Sequence, residues 1–162
     1  MLDQPQQVTE PQMEQWVADF NSWDVCDQVC NNLFYLTPFV EQKIQQWVQR
    51  EEEFVRRAGF TLIACLAWHS ADMTDEQFIA YFPLLKMHST DSRNFVRKAV
   101  NWALRNIGKR NLSLNQSAVA LAQELQQMQD KTARWIASDA LRELQSEKVQ
   151  QCLRKNLPAK NT

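Results

Sequence analysis

Apolar residues recur at helical spacing along nearly the whole chain, with polar positions filling the remaining faces. The pattern predicts helices near 10–20, 23–35, 38–49, 51–69, 74–86, 91–108, 113–129, 131–145 and 147–155. Breaks fall at Pro11, Thr37-Pro38, Ser70-Ala71-Asp72, Pro83 and Gly108. Asn21, with Asp24 three residues on, reads as a capping-box-like start for the second helix. Gly108 reads as a helix C-cap, followed by Lys109 and Arg110 where the helix dipole favours cations. The expectation is an all-α protein: a polar segment over 1–9, a single repeat domain over 10–155 and a flexible tail over 156–162.

Three of the helical segments align without gaps: FVRRAGFTLIACL (54–66), FVRKAVNWALRNI (95–107) and TARWIASDALREL (132–144). Arg56, Arg97 and Arg134 share one column, and Leu66, Ile107 and Leu144 share another. A period near 40 residues with two helices per unit is the mark of a HEAT-like α-solenoid of antiparallel helix pairs. Composition narrows the picture further. The chain has 162 residues and only two glycines, Gly59 and Gly108, which argues against a β-rich fold and against a phosphate-cradling glycine loop. Cys26, Cys30, Cys65 and Cys152 have no histidine pair or second cysteine pair to complete a zinc set, so they read as small apolar residues of a reducing compartment. The polar, acidic N-terminus is no signal peptide, and no apolar run approaches the ~20 residues of a membrane span. The expected location is the cytoplasm.

The net charge of −1 hides a strong asymmetry. Residues 1–53 hold 2 basic and 10 acidic residues, whereas residues 86–110 hold 7 basic and 1 acidic. A basic cluster of that kind is either a solvated helix face or a contact surface for a polyanion.

A few side chains do not fit the core pattern. On the helix after Asn21, Val25, Cys26, Val29, Cys30 and Leu33 make the apolar stripe, and Trp23 and Asp27 lie together beside it as i and i+4 neighbours. Asp24 sits in the first turn, where the helix dipole favours an acid, but Asp27 lies beyond that reach. In 95–107, Trp102 is off the stripe, with Lys98 at i−4 and Arg105 at i+3. It reads either as a contact between neighbouring repeats or as an aromatic plate on a basic surface that meets nucleic acid. Trp135, beside Ser138 and Arg142, reads as packing. Residues 54–67 are apolar nearly all round, so Arg56 within them needs a partner, and Asp27 of the preceding unit is the candidate.

Together, WDVCD, EFVRRAGF, NFVRKAVNWALRNIGKRN and KTARWIASDALREL resemble the DNA alkylation repair family of AlkD-like DNA glycosylases, over roughly residues 10–150. The resemblance implies a HEAT-like solenoid that removes N3- and N7-alkylated purines from duplex DNA as a monomer, without a metal or other cofactor. It assigns Asp27 as the catalytic aspartate, Trp23 and Trp102 as paired aromatic residues, Arg56 as the active-site arginine and Arg105 as a DNA contact. Arg97, Lys98, Lys109 and Arg110 would join Arg105 at the phosphates. In this family, additional helices usually precede the WDxxD segment. Here it begins at Trp23, which marks either a fragment or a short form. Two other readings stand beside the glycosylase: a DNA-binding solenoid without catalysis, and a protein-interaction scaffold, the general use of HEAT repeats.

Overall fold

The structure is a computed structural model that describes residues 4–157; residues 1–3 and most of the expected tail, 158–162, lie outside the described residues. The helices are α1 (Glu10–Ala18), α2 (Trp23–Asn32), α3 (Val40–Trp47), α4 (Glu53–His69), α5 (Asp75–Ile79), α6 (Phe82–His88), α7 (Asn94–Gly108), α8 (Leu112–Gln127), α9 (Lys131–Leu144) and α10 (Glu147–Lys155). Short 3-10 turns occur at Pro5–Gln7 and Phe34–Leu36, and no strand is present among the described residues. The all-α reading therefore holds.

Most helix starts follow from local chemistry. Thr9 with Gln12 and Thr74 with Gln77 form complete capping boxes. Asn111, Asp130 and Ser146 each accept a backbone N–H of the turn they open. Three expectations about helix starts and faces differ in the structure. The N-cap of α2 is Ser22, not Asn21. A hydrogen bond from Ser22 to Asp24, joined by backbone N–H groups, holds the Asp24 carboxyl below its usual range. The helix expected over 74–86 is two helices, because Pro83 lacks an N–H and is tolerated only in a first turn; it opens α6. Val25, placed on the apolar stripe of α2, is exposed, whereas Cys26 and Cys30 are fully buried.

The helices form two layers. Helices α2, α4, α7 and α9 pack side by side in chain order, and α3 and α8 lie across their backs with α6. This is the stacked-pair arrangement of a solenoid. Helix α4 sits at the centre, and every residue from Val55 to Ala67 except Arg56 is buried, as the all-round apolar pattern implies.

The two glycines serve this packing. Gly108 has no positive φ, so it is not the left-handed cap the sequence suggests. A Cβ there would lie 2.6 Å from Leu144 and 3.0 Å from Ala118, so the glycine lets α7 approach α8 and α9. At Gly59 a Cβ would lie 2.7 Å from Val48 Cγ1 and 2.9 Å from the Val48 backbone nitrogen, where α3 ends against α4.

The N-terminal acids also have a structural use. Lys43, 1% exposed, donates to Glu10 at 2.8 Å and Glu14 at 2.7 Å, and Trp47 Nε1 donates to the same Glu14 oxygen. Burial opposes the Lys43 charge, but the two carboxylates outweigh it and raise its pKa. This cluster fastens α1 to α3. Part of the acidic excess of residues 1–53 is thus internal rather than a free surface field.

Gly59→Ala should lower stability by about 1–3 kcal/mol, the usual cost of overpacking, because the obstruction is backbone and cannot rotate away. Gly108→Ala should cost less, since the Leu144 side chain can move. Thermal or urea unfolding of the two variants checks the order.

Candidate active site

The face of α2, α4, α7 and α9 turned away from the second layer carries a groove of about 450 Å³, to which all four helices contribute. Asp27 and Arg57 line one side, Lys98, Asn101 and Trp102 the middle, and Trp135 and Asp139 the far side. The gap-free alignment explains the convergence. Arg57, Lys98 and Trp135 occupy one column of it, and Thr61, Trp102 and Asp139 occupy the column one turn further on. Equivalent positions on neighbouring helices of a solenoid stand side by side, so two columns at i and i+4 make a continuous strip.

Asp27 is the anchor of this strip. Its partner is Arg57, in a bidentate pair: Nε to Oδ1 at 2.9 Å and Nη2 to Oδ2 at 2.7 Å. The Thr61 hydroxyl also reaches Oδ1, at 3.3 Å. Arg57 further donates Nη1 to the Phe95 carbonyl at 2.6 Å, linking α2, α4 and α7 through one guanidinium. A carboxylate offers about four acceptor positions. Three are engaged, and Asp27 retains acceptor capacity while 18% of its side chain is exposed.

The expected Asp27–Arg56 pair does not form. Arg56 points to the other side of α4, where it donates to the Val48 carbonyl at 3.0 Å and to Asp91 at 2.9 Å. Although burial works against it, hydrogen bonds from Arg93 and Arg56 hold the Asp91 carboxyl down at about 2. The error is one residue, a rotation of about 100° on a helix. The alignment held a signal that would have prevented it: Lys98 stands at i−4 from Trp102, and the matching residue of α4 is Arg57.

Of the other expected residues, Trp102 and Lys98 line the groove with Asp27. Trp102 is partly buried against the core, and Lys98 is exposed with no ion pair among the described residues. Trp23 is 52% exposed on the first turn of α2, one turn from Asp27, and does not line the groove. Arg105 reaches the groove but is bonded to Glu143 at 2.7 Å, which also takes Lys109 at 2.9 Å. Burial raises the Glu143 carboxyl, yet these two cations bring it below its usual range. The Arg97 guanidinium lies 4.5 Å from the Trp135 ring centroid. Trp135 is therefore not simply packed, as its sequence context suggests; it is a groove wall with a cation on it. Arg110 is a structural staple. It lies 4.3 Å from the Phe78 centroid and donates to the Ala67 carbonyl at 2.9 Å, and burial lowers its pKa.

The basic cluster of residues 86–110 is thus largely compensated: Lys86 pairs with Glu124, Arg93 with Asp91, and Arg105 and Lys109 with Glu143. Residues missed in the sequence include Asn101, which donates to Asp139 at 2.6 Å and has an unpartnered amide oxygen. Among the described residues, no group of three or more His, Cys, Asp or Glu side chains is arranged to hold a metal ion. No helix there is long and apolar enough to cross a membrane.

The fold and the groove define a helical repeat protein with a partly buried carboxylate–guanidinium pair beside aromatic and cationic side chains. The sequence matches the family described as DNA alkylation repair enzyme over residues 1–154, and the chain belongs to that family. No curated protein and no solved structure matches the chain.

Removing the Arg57 side chain should leave Asp27 as a partly buried charge without its partner. Arg57→Ala is expected to cost about 3–5 kcal/mol, and adding Asp27→Ala should return part of that loss. A double-mutant cycle in urea checks this coupling.

Proposed function

We propose that this protein is a DNA glycosylase that hydrolyses the N-glycosidic bond of cationic N3- or N7-alkylated purines in duplex DNA. The observation that carries the reading is Asp27: a carboxylate locked by Arg57 and Thr61, still able to accept, in a groove walled by Trp102 and Trp135. Membership of the DNA alkylation repair enzyme family supports DNA as the partner.

The chemistry suits these residue types. An N3- or N7-alkylpurine already carries positive charge, so it leaves as a neutral base without an acid to protonate it. When the C1′–N9 bond breaks, its electron pair goes to the purine and positive charge develops on the sugar. The Asp27 carboxylate stabilises that charge and orients a water molecule toward C1′. Oxygen bonds to C1′, and the proton lost by the water passes to Asp27 and then to solvent. Arg57 and Thr61 act as positioning residues, holding the carboxylate so that no reorganisation is needed as charge develops. The aromatic faces of Trp102 and Trp135, with Trp23 one helical turn from Asp27, attract a cationic nucleotide. In this reading Lys98 and Arg97 contact phosphates, and Arg105 and Lys109 join them once DNA phosphate competes with Glu143.

Release of 7-methylguanine or 3-methyladenine from alkylated duplex DNA tests the proposal. Wild-type protein should release base, and Asp27→Asn should lose at least about a hundredfold in rate, the scale of one missing electrostatic stabiliser. Undiminished release by Asp27→Asn contradicts the mechanism. Salt-dependent binding without release at high enzyme would leave a DNA-binding solenoid. Glu143→Gln should free Arg105 and Lys109, so duplex affinity should rise severalfold at low salt and fall more steeply with added salt. Equilibrium titrations across ionic strength read both effects.

A further inference from the structure

Among the described residues Trp68 is the most exposed of the large apolar side chains, at 70%, yet it stands on the functional layer near the end of α4. It forms the ridge between two clefts of about 400 and 330 Å³, and Asn106 and Lys109 line both. Lys109 of α7 occupies the column that Trp68 occupies on α4, so the ring and the ammonium group belong to adjacent positions of the repeat. No carboxylate lines either cleft, in contrast to the groove at Asp27; Glu143, outside the linings, pairs with Lys109 and Arg105, and a phosphate at Trp68 would have to compete with it. Asn31 at the rim accepts from the Cys65 thiol at 3.6 Å and meets His69 Nε2 at 3.1 Å through Oδ1, which turns its amide N–H groups to other partners. The larger cleft joins the Asp27 groove through Trp102 and Arg105, which line both.

An exposed indole face, cations beside it and no lining acid together suit a planar, anionic ligand. A nucleotide has that chemistry. Base faces in a duplex are covered by their stacked neighbours, so only an unpaired base offers its face to Trp68. We propose that Trp68 is a second nucleotide-binding site, a stacking platform for one unpaired nucleobase, with its phosphate held by Lys109 and Arg105. The site lies about 16 Å along α4 from Arg57, at ~1.5 Å per residue. It serves a locally opened or single-stranded segment next to the nucleotide at Asp27. Stacking of this kind contributes about 1–3 kcal/mol per base and is tolerant of sequence. The inference rests on nucleic acid being the partner, but not on base excision.

The test uses fluorescence anisotropy with a labelled short oligothymidylate and with an undamaged duplex of equal length, at low salt. Trp68→Ala should weaken single-strand binding about tenfold and duplex binding less than about twofold. Trp68→Phe should restore most of the loss. Equal binding of the single strand by wild type and Trp68→Ala overturns the proposal, as does an equal loss on both DNA forms. Thymidine monophosphate binding as tightly as the oligonucleotide also overturns it, since the site would then belong to a free nucleotide. Trp68 is surface-exposed, so its replacement leaves the core intact. Failure of wild-type base release would count against the glycosylase reading alone.

Discussion

The bidentate pair between Asp27 and Arg57 is the interaction on which the site depends. Arg57 is 7% exposed on its side chain, and its guanidinium has no slack: two nitrogens hold Asp27 and the third holds the Phe95 carbonyl. A buried ion pair of this kind is weak as a source of stability, because desolvation consumes much of the Coulombic gain. Its value is positional. It sets the spacing of α2, α4 and α7 and fixes the direction in which Asp27 can still accept a bond.

The rest of the groove follows from repetition. One residue column supplies Arg57, Lys98 and Trp135 and the next supplies Thr61, Trp102 and Asp139, so a single helical face repeated three times produces a strip of mixed chemistry. Close helix contact keeps that strip continuous; Gly108 permits it between α7 and α9, while Gly59 seats α3 against α4. Charge is managed within the same frame. Glu143 holds Arg105 and Lys109, and Asp91 gathers Arg56 and Arg93. The cations of 86–110 are therefore mostly partnered at rest, and a polyanion would have to exchange those partners rather than meet a bare field.

Much of this was legible in the sequence, and the limits are instructive. The helical period, the repeat near 40 residues and the buried α4 follow from apolar spacing alone. Trp102 and Lys98 stand out because they break that spacing. Arg56 and Arg57 could not be separated in the same way, since α4 is apolar all round and has no polar face to orient it. Only the alignment column shared with Lys98 pointed to Arg57, and the Asp27 contact decides it. The roles of Arg105, Lys109 and Arg110 were not legible either. Their partners, Glu143 and the Ala67 carbonyl, lie on neighbouring helices, and charge counts along the chain do not contain that pairing. Gly108 misled because a glycine after a helical run has two uses, a left-handed cap and close approach, and sequence shows only the first.

The most direct measurement is single-turnover release of alkylated purine from duplex DNA by Arg57→Ala and Arg56→Ala, with folding of each verified by circular dichroism. Arg57 holds the carboxylate and Arg56 does not, so Arg57→Ala should lose most of the rate, and Arg56→Ala should retain it despite reduced stability. Loss of release in Arg56→Ala with normal release in Arg57→Ala would contradict it.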